Sequence, residues 1–536
     1  MQNKLKILMA QINPTVGALE VNRDQIIEII HNNQETHDVI VFPELALTGY
    51  PPEDLLFRKE FQQAIANNMK LIQATTKDCY VLVGHPALEQ QRLYNSVSIL
   101  HQKKVVRIYH KQNLPNYEVF DEMRYFTPGQ KNPCILEIKD YKVGICICED
   151  AWYPGPIEDL LAHDAAIILN LNASPFDVNK YQKRVAVLQS YAQKGTAIVY
   201  VNQVGGQDEL LFDGQSFALD AQGTVCARAS AFTENLCTVE LAGTKLTGIV
   251  TPRLPGDELL YQALVCGMRD YVNKNKFPGV LLGLSGGIDS ALTLAIAVDA
   301  LGAERVHAVL MPSRYTADMS YEDAIKELEL LKVSHSILSI EPTFNTLIST
   351  LDPVFHGLAP DLTEENIQAR IRGLLLMAIS NKTGKMVLTT SNKSESAVGY
   401  TTLYGDMCGG FSVLKDVLKT QVYQLARYRN TLAQIIPERV ITRAPSAELR
   451  ENQTDQDSLP AYEILDAIIV AYMEKNLSAK EIIQQGFDVQ EVNKVIHLIK
   501  RNEYKRRQAS PGIKISSMAF GKDWRYPITN GFNKNI

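Results

Sequence analysis

The chain has 536 residues, 54 of them basic and 60 acidic for a formal net charge of −6, and its 46% hydrophobic and 21% charged content is ordinary globular composition, which excludes disorder as the main state. The length suits two large domains or several small ones, and the slightly acidic balance speaks against a nucleic-acid partner, with Lys505-Arg506-Arg507 the one conspicuous basic cluster. No apolar run nears the roughly 18 residues of a membrane span, and the opening MQNKLKILMAQINP turns polar too soon for a secretory signal, so we expect a soluble, cytoplasmic protein with no membrane partner.

From residue 4 to about 245, short β-branched runs alternate with amphipathic stretches. The runs predict strands over 7–12, 39–42, 80–84, 105–109, 143–148, 165–171 and 197–202, and the stretches 21–32 and 180–194 predict helices. This is the rhythm of a layered α/β domain. Around Thr251-Pro252-Arg253-Leu254-Pro255-Gly256-Asp257 two prolines and a glycine interrupt it, and Asp257 is placed to cap a helix over 259–272. The expected division is a first domain over 1–245, a linker over 246–257 and a second domain over 258–536.

In the second half, strands are predicted over 280–284, 306–311, 336–340 and 386–390, with helices over 290–301 and 321–332 and another starting at Glu364, capped by Asp361 or Thr363. Strands alternating with helices of this length need crossover connections, which implies a doubly wound parallel sheet. The 8 cysteines contain no CxxC pair, which argues against structural zinc and a disulfide framework and suits a reducing compartment.

Three residues of the first half sit where predicted strands hand over to loops: Glu44, Lys111 and Cys148. Strand ends converge in a layered sheet, and a thiol, a carboxylate and an ammonium form a usable set there. The carboxylate can take the thiol's proton, and the ammonium can stabilise an oxyanion. Taken singly, each residue reads more simply as a buried thiol, a loop acid or a surface cation. Alternation turns Cys146 to the same side as Cys148 but deeper along the strand, so Cys146 reads as packing and Cys148 as the nucleophile. The segments Phe42-Pro43-Glu44-Leu45, His110-Lys111-Gln112-Asn113 and Cys148-Glu149-Asp150-Ala151-Trp152, in that order, resemble the nitrilase (carbon-nitrogen hydrolase) superfamily. The resemblance implies a four-layer αββα sandwich with Glu44 as general base, Lys111 as oxyanion partner and Cys148 forming a thioester with an amide. It also implies Tyr117, Ser174 and Lys180 as glutamine ligands.

The run Gly283-Leu284-Ser285-Gly286-Gly287-Ile288-Asp289-Ser290 is a glycine-rich turn between a strand and a helix start, where backbone N–H groups, the helix dipole and two hydroxyls favour a phosphate. It is neither a GxxxxGK[ST] loop nor a GxGxxG loop. Its form resembles the pyrophosphate loop of the N-type ATP pyrophosphatases. On the following helix Asn366, Arg370 and Gly373 share one face, which suits a ligand-facing surface. Carboxylates beside a triphosphate usually hold Mg²⁺, which makes Asp289 and Glu395 a natural pair, whereas Lys415 and Lys419 taken alone read as surface charges.

With Thr390-Ser391-Asn392-Lys393-Ser394-Glu395, Tyr404-Gly405-Asp406 and Pro445-Ser446-Ala447-Glu448-Leu449, the second half resembles the NAD synthetase family from 258 to about 520. Both halves together resemble its glutamine-dependent branch. The resemblance implies adenylation of deamido-NAD by MgATP, followed by attack of ammonia released from glutamine. It assigns Gly283 to Ser290 and Thr390 to ATP, and Asn366, Glu395, Asp406 and Lys505 to deamido-NAD, and it implies a homo-oligomer. Ser391 stands where many members have glycine. Two rivals are weaker: a nucleic-acid-modifying ATP pyrophosphatase, disfavoured by the −6 charge and the missing CxxC, and a binding module with an inactive hydrolase half, disfavoured by the intact Glu44, Lys111 and Cys148.

Overall fold

The computed structural model describes residues 4–451 and 453–532. The chain divides into two compact units, Met1–Leu254 and Pro255–Ile536.

The first unit runs β1 (Lys4–Gln11), α1 (Leu19–Asn33), β2 (Val39–Val41), α2 (Lys59–Thr75), β3 (Tyr80–Glu89), β4 (Arg92–His101), β5 (Lys104–His110), β6 (Cys134–Ile138), β7 (Tyr141–Ile147), α3 (Pro156–Ala162), β8 (Ile167–Asn172), α4 (Lys180–Ala192) and β9 (Ala197–Asn202). A hairpin, β10 (Val204–Gln207) with β11 (Leu210–Asp213), precedes β12 (Phe217–Leu219), β13 (Val225–Arg228), β14 (Asn235–Ala242) and β15 (Lys245–Gly248). One sheet has the order β15-β14-β1-β2-β3-β4-β5 and a second β13-β12-β9-β8-β7-β6.

The period-2 alternation of side chains explains how they stack. Leu5, Ile7, Met9, Val39 and Val41 from the first sheet meet Val143, Ile145, Ile167 and Leu169 from the second in one buried core. The opposite-facing Leu8, Ala10 and Ile40 pack on Ile26 and Ile30 of α1 and Ile65 and Ile72 of α2. Ile168, Ile198 and Tyr200 likewise pack on Leu160 of α3 and Leu188 of α4. Strands covered on both faces read as continuous apolar runs, and the result is the expected αββα sandwich. Strand β4 carries no such signature, because buried Asn95, Ser96 and Ser98 interrupt its apolar residues, yet it pairs with β3 over nine residues, from Val81↔Leu100 to Glu89↔Arg92.

Of the interval expected as a linker, 246–248 complete β15 and 256–257 open the next helix, so the connector runs over 249–255. Asp257 lies inside that helix, and Pro255 is its N-cap residue.

The second unit runs α5 (Gly256–Lys274), β16 (Val280–Gly283), α6 (Ile288–Leu301), β17 (Val306–Leu310), α7 (Asp318–Leu331), β18 (Ser334–Ile337), α8 (Glu341–Phe355), α9 (Leu362–Thr383), β19 (Met386–Thr389), α10 (Lys393–Val398) and β20 (Phe411–Ser412). Helices α11 (Lys419–Leu432), α12 (Glu438–Thr442), α13 (Tyr462–Ile469), α14 (Ala479–Gln484), α15 (Val489–Arg501) and α16 (Glu503–Arg506) follow, with a π-helical turn over Val470–Glu474 after α13. The sheet has the order β18-β17-β16-β19-β20 and is parallel at every pairing. From β16 the chain winds outward to β18, then returns to place β19 on the other side of β16. The loops after β16 and β19 therefore open at the topological switch point, where doubly wound sheets bind ligands. Asp361 is the residue that caps α9, in a capping box with Glu364. Among the described residues no helix is long and apolar enough to cross a membrane.

Candidate functional site

In the first unit, Glu44 leaves the end of β2, Lys111 follows β5 and Cys148 follows β7. Gly84 of β3 permits the first of these, since a Cβ there would meet the Leu45 nitrogen and the Pro43 oxygen at 2.5 Å. Glu44 and Lys111 are each only 1% exposed and Cys148 3%. The Lys111 ammonium donates to Glu44 Oε1 at 2.7 Å and to Glu122 Oε1 at 2.8 Å. Glu44 also accepts from Asn95 Nδ2 at 2.7 Å and from the Ala173 N–H at 3.0 Å, and Glu122 accepts from the Tyr50 hydroxyl at 2.8 Å. Glu122 thus brings a second carboxylate to the site.

The strand expected over 143–148 ends at Ile147. Cys148, at φ 44°, opens a 3-10 turn to Ala151. That left-handed residue breaks the alternation, so Cys146 and Cys148 do not share a side: Cys146 faces the helix layer, its sulfur accepting from Asn170 Nδ2 at 3.0 Å, while Cys148 belongs to the core between the sheets. The turn is held by Asp150, whose carboxylate accepts from the Gln112 and Asn113 N–H groups at 3.0 and 2.8 Å and from the Tyr109 hydroxyl at 2.8 Å. The loop carrying Lys111 is thereby fastened to the turn carrying the thiol.

Burial, and next the Glu44 carboxylate, push the Cys148 thiol well above its ordinary value against the pull of Lys111. The resting group is a thiol that needs a base. Burial opposes the charge on Lys111, but Glu122 and Glu44 outweigh it and hold the ammonium protonated. Burial also raises Glu122, to about 7. The site holds a protonated nucleophile, an adjacent carboxylate and a fixed cation, a set suited to acyl transfer through a thioester.

Around it, the Tyr117 hydroxyl donates to Glu149 Oε1 at 2.7 Å. Lys180 lies with its ammonium 5.0 Å from the Trp152 ring centroid, and burial lowers its pKa. Ser174 is buried with its hydroxyl accepting from Arg184 Nε at 3.1 Å, and Arg184 pairs with Asp213 at 2.7 Å. Sequence reasoning missed Glu122, which no motif marks, and Asn95. Glu149 and Asp150 stand inside the Cys148 motif, where their adjacency was the available signal.

In the second unit, the turn after β16 depends on Gly286, at φ +79°, where a Cβ would meet the Ser320 carbonyl oxygen at 2.2 Å. Ser285 and Ser290 hydroxyls lie 3.1 Å apart, and the Gly287 N–H donates to Ser285 Oγ at 3.2 Å. A cleft is lined by Gly283, Leu284, Ser285, Gly287, Ile288, Asp289, Ser290, Thr390, Glu395 and Asp406. Gly286, Asn366 and Lys505 are absent from its wall. Instead, Asn366 Oδ1 accepts from Thr402 Oγ1 at 2.8 Å and Lys505 Nζ donates to the Gly399 and Thr401 carbonyls at 2.8 Å, so both brace the loop that presents Asp406. Gly373 serves the same loop, since a Cβ there would meet the Tyr404 oxygen at 2.8 Å.

Asp289 and Glu395 come together, bridged by Lys419, which reaches Asp289 and donates to Glu395 Oε1 at 2.9 Å. Lys419 is 2% exposed and Lys415 7%, which corrects the reading of both as surface charges. Burial raises Glu395 to about 8, with Lys419 opposing and the Asp289 and Asp455 charges assisting. Carboxylates in excess over one ammonium suit a further cation. Among the described residues no three His, Cys, Asp or Glu side chains are grouped to hold a metal alone, and the two oxygen-donor side chains Asp289 and Glu395 are of the kind that hard cations such as Mg²⁺ take alongside phosphate oxygens.

An αββα nitrilase-like sandwich with a Glu-Lys-Cys centre and a parallel-sheet domain with a phosphate-type loop define an amidohydrolase joined to a nucleotide-dependent domain. The family models for carbon-nitrogen hydrolase and NAD synthase match residues 6–247 and 260–509. The chain is 48% identical to the glutamine-dependent NAD(+) synthetase of Acinetobacter baylyi, with 98% of each chain covered, and 46% identical to that of Aquifex aeolicus, with 99% of this chain and 100% of the relative covered. It is similar to the structure of glutamine-dependent NAD+ synthetase from Acinetobacter baumannii in complex with ADP, at 45% identity, a TM-score of 0.80 and 100% coverage of both chains. A Cytophaga hutchinsonii structure of the same description, 22% identical with a TM-score of 0.85 over 99% of this chain and 98% of that one, shares the fold. This chain belongs to the glutamine-dependent NAD(+) synthetases, ATP-dependent ligases that form a carbon–nitrogen bond.

Proposed function

We propose that the first domain, over 1–245, releases ammonia from glutamine and that the second, over 258–536, uses it to amidate deamido-NAD. The juxtaposition of Glu44, Lys111 and Cys148, all nearly excluded from water, carries this reading. Glu44 takes the thiol proton as the Cys148 sulfur attacks the glutamine amide carbon. The Lys111 ammonium faces the developing oxyanion, ammonia departs with a returned proton, and water then cleaves the thioester to glutamate. Tyr117, Ser174 and Lys180 hold the substrate. Lys180, a cation beside the Trp152 ring, suits the α-carboxylate, and Glu149, bonded to Tyr117, suits the α-ammonium.

In the second domain Gly283 to Ser290 and Thr390 take ATP, while Asn366, Glu395, Asp406 and Lys505 serve deamido-NAD, Asn366 and Lys505 by bracing the 399–406 loop. Asp289 and Glu395 would hold Mg²⁺, which neutralises the leaving pyrophosphate when bound. The nicotinate carboxylate displaces pyrophosphate from ATP to give an acyl-adenylate, and ammonia then displaces AMP to leave the amide. The protein acts in the cytoplasm as a homo-oligomer on small molecules, without nucleic acid.

The test is NAD formation from deamido-NAD and MgATP, with glutamine or with high ammonium, in the parent and in Cys148→Ala. The variant loses the glutamine-driven reaction by about 10³-fold or more and keeps the ammonium-driven one. A parent that forms no NAD from either source refutes the reading.

A further inference from the structure

Lys393 lies on the side of the Asn392–Glu395 turn away from the cleft, and its side chain is wholly buried. Its ammonium meets Glu474 Oε1 at 2.8 Å, Asp416 Oδ1 at 2.9 Å, Ser516 Oγ at 2.8 Å and the Met518 carbonyl at 2.9 Å. Four acceptors around three donors fix the direction of the group.

The same contacts recruit the C-terminal segment. Asp416 accepts from the Ile515 and Ser516 N–H groups at 2.8 and 2.7 Å, and Glu474 accepts from Ser517 Oγ at 3.2 Å. Glu474 closes the π-helical turn after α13, an irregularity that tends to mark functional positions. Farther along, Lys514 pairs with Asp523 at 2.6 Å, and Phe520 and Trp524 enter the core of the surrounding helices.

On its other side the turn addresses the cleft. Asn392 caps α10 by accepting from the Glu395 N–H at 3.0 Å, and its amide donates to Asp289 Oδ1 at 2.8 Å. Ser394, between Lys393 and Glu395, donates to Asp466 and accepts from the Lys419 N–H at 2.9 Å. Asn392 and Glu395 thus face the carboxylate cluster, while Lys393 and Ser394 anchor the turn from behind.

We propose that Lys393 is a positioning residue of the ATP-dependent centre: seated by Asp416, Glu474 and the C-terminal segment 515–518, it fixes the turn that aims Asn392 and Glu395 at Asp289. Apolar side chains of equal volume would stabilise a buried turn about as well as desolvated ions do, so the ionic seat is accounted for by orientation. The C-terminal segment thereby becomes part of the reaction centre without touching substrate. The inference rests on the roles given above to Asp289 and Glu395.

Lys393→Met alone would strand the buried Asp416 carboxylate and the partly buried Glu474 one, so the informative variant combines Lys393→Met, Asp416→Asn and Glu474→Gln. NAD formation from ammonium is measured beside Ser516→Ala, which deletes the hydroxyl that accepts from Lys393 and bonds Asp416 Oδ1 at 2.9 Å and the Met518 carbonyl at 3.0 Å, and beside Glu395→Gln. The triple variant is expected to lose about tenfold or more in kcat with KM for ATP within about twofold, and Ser516→Ala about threefold in kcat. A folded triple variant with parental kcat overturns the inference. If the triple variant does not fold, Ser516→Ala decides: a loss near threefold at unchanged KM supports the inference, and parental kcat overturns it. Glu395→Gln at the parental rate removes the reading of the centre and this inference with it, whereas an inactive Glu395→Gln beside a fully active triple variant removes this inference alone.

Discussion

Burial decides what each group of the glutaminase centre can do before substrate arrives. Cys148 stays protonated because desolvation and the Glu44 charge outweigh Lys111, so in the proposed mechanism the thiol gains nucleophilicity only as Glu44 accepts its proton. Glu149, raised by burial and bonded to Tyr117, is the carboxylate proposed to face the α-ammonium. Glu149→Gln keeps the shape and removes that charge. We expect KM for glutamine to rise by about 10- to 100-fold, with ammonium-driven NAD formation unchanged, in steady-state assays with each nitrogen source. Glu44, Lys111 and Cys148 were legible because each sits in a local motif at a strand end. Glu122 was not, because the partner that reveals it, Lys111, is met through a bond across the site and by no residue pattern.

At the level of elements, the strand–turn–helix from Val280 to Leu301 was readable because apolar run, glycines and helix follow one another without interruption. Reading the 143–148 run as one strand failed at its last residue, since periodicity carries no sign of a left-handed φ at Cys148. Strand β4 was hidden by Asn95, Ser96 and Ser98, polar residues that reach Glu44, His110 and His85 on other elements. Lys419 was misread for a related reason, as a lysine looks solvated until Asp289 and Glu395 are brought to it. The turn after β16 offers a sharp test. Gly286→Ala places a Cβ 2.2 Å from the Ser320 oxygen in a left-handed backbone, which costs about 1–2 kcal/mol before the clash is counted. NAD formation should fall by about tenfold or more with either nitrogen source while glutamine hydrolysis, followed as glutamate release, persists.

Across the whole molecule, an acid remote from both centres is among those that link stability to pH. Glu327 of α7 is 1% exposed, both its carboxylate oxygens lack hydrogen-bond partners among the described residues, and burial raises it to about 8 from 4.5, with Asp323 adding to the shift. Between those values the folded chain holds a proton that the unfolded chain has released, so this contribution is fully present below pH 4.5 and is lost as pH rises through about 8. Glu327→Gln, which cannot ionise, should melt at a higher temperature than the parent above pH 8 and at nearly the same temperature near pH 5, followed by calorimetry on the full chain. The pairing of β1 with β14, from Lys4↔Ala242 to Gln11↔Asn235, has a consequence in time. During synthesis the first strand made must wait for residues 235–242 before its antiparallel neighbour exists, so the sandwich closes only when the whole first unit has been translated. The ribosome has by then only begun the second unit, so the two units complete their folding in chain order.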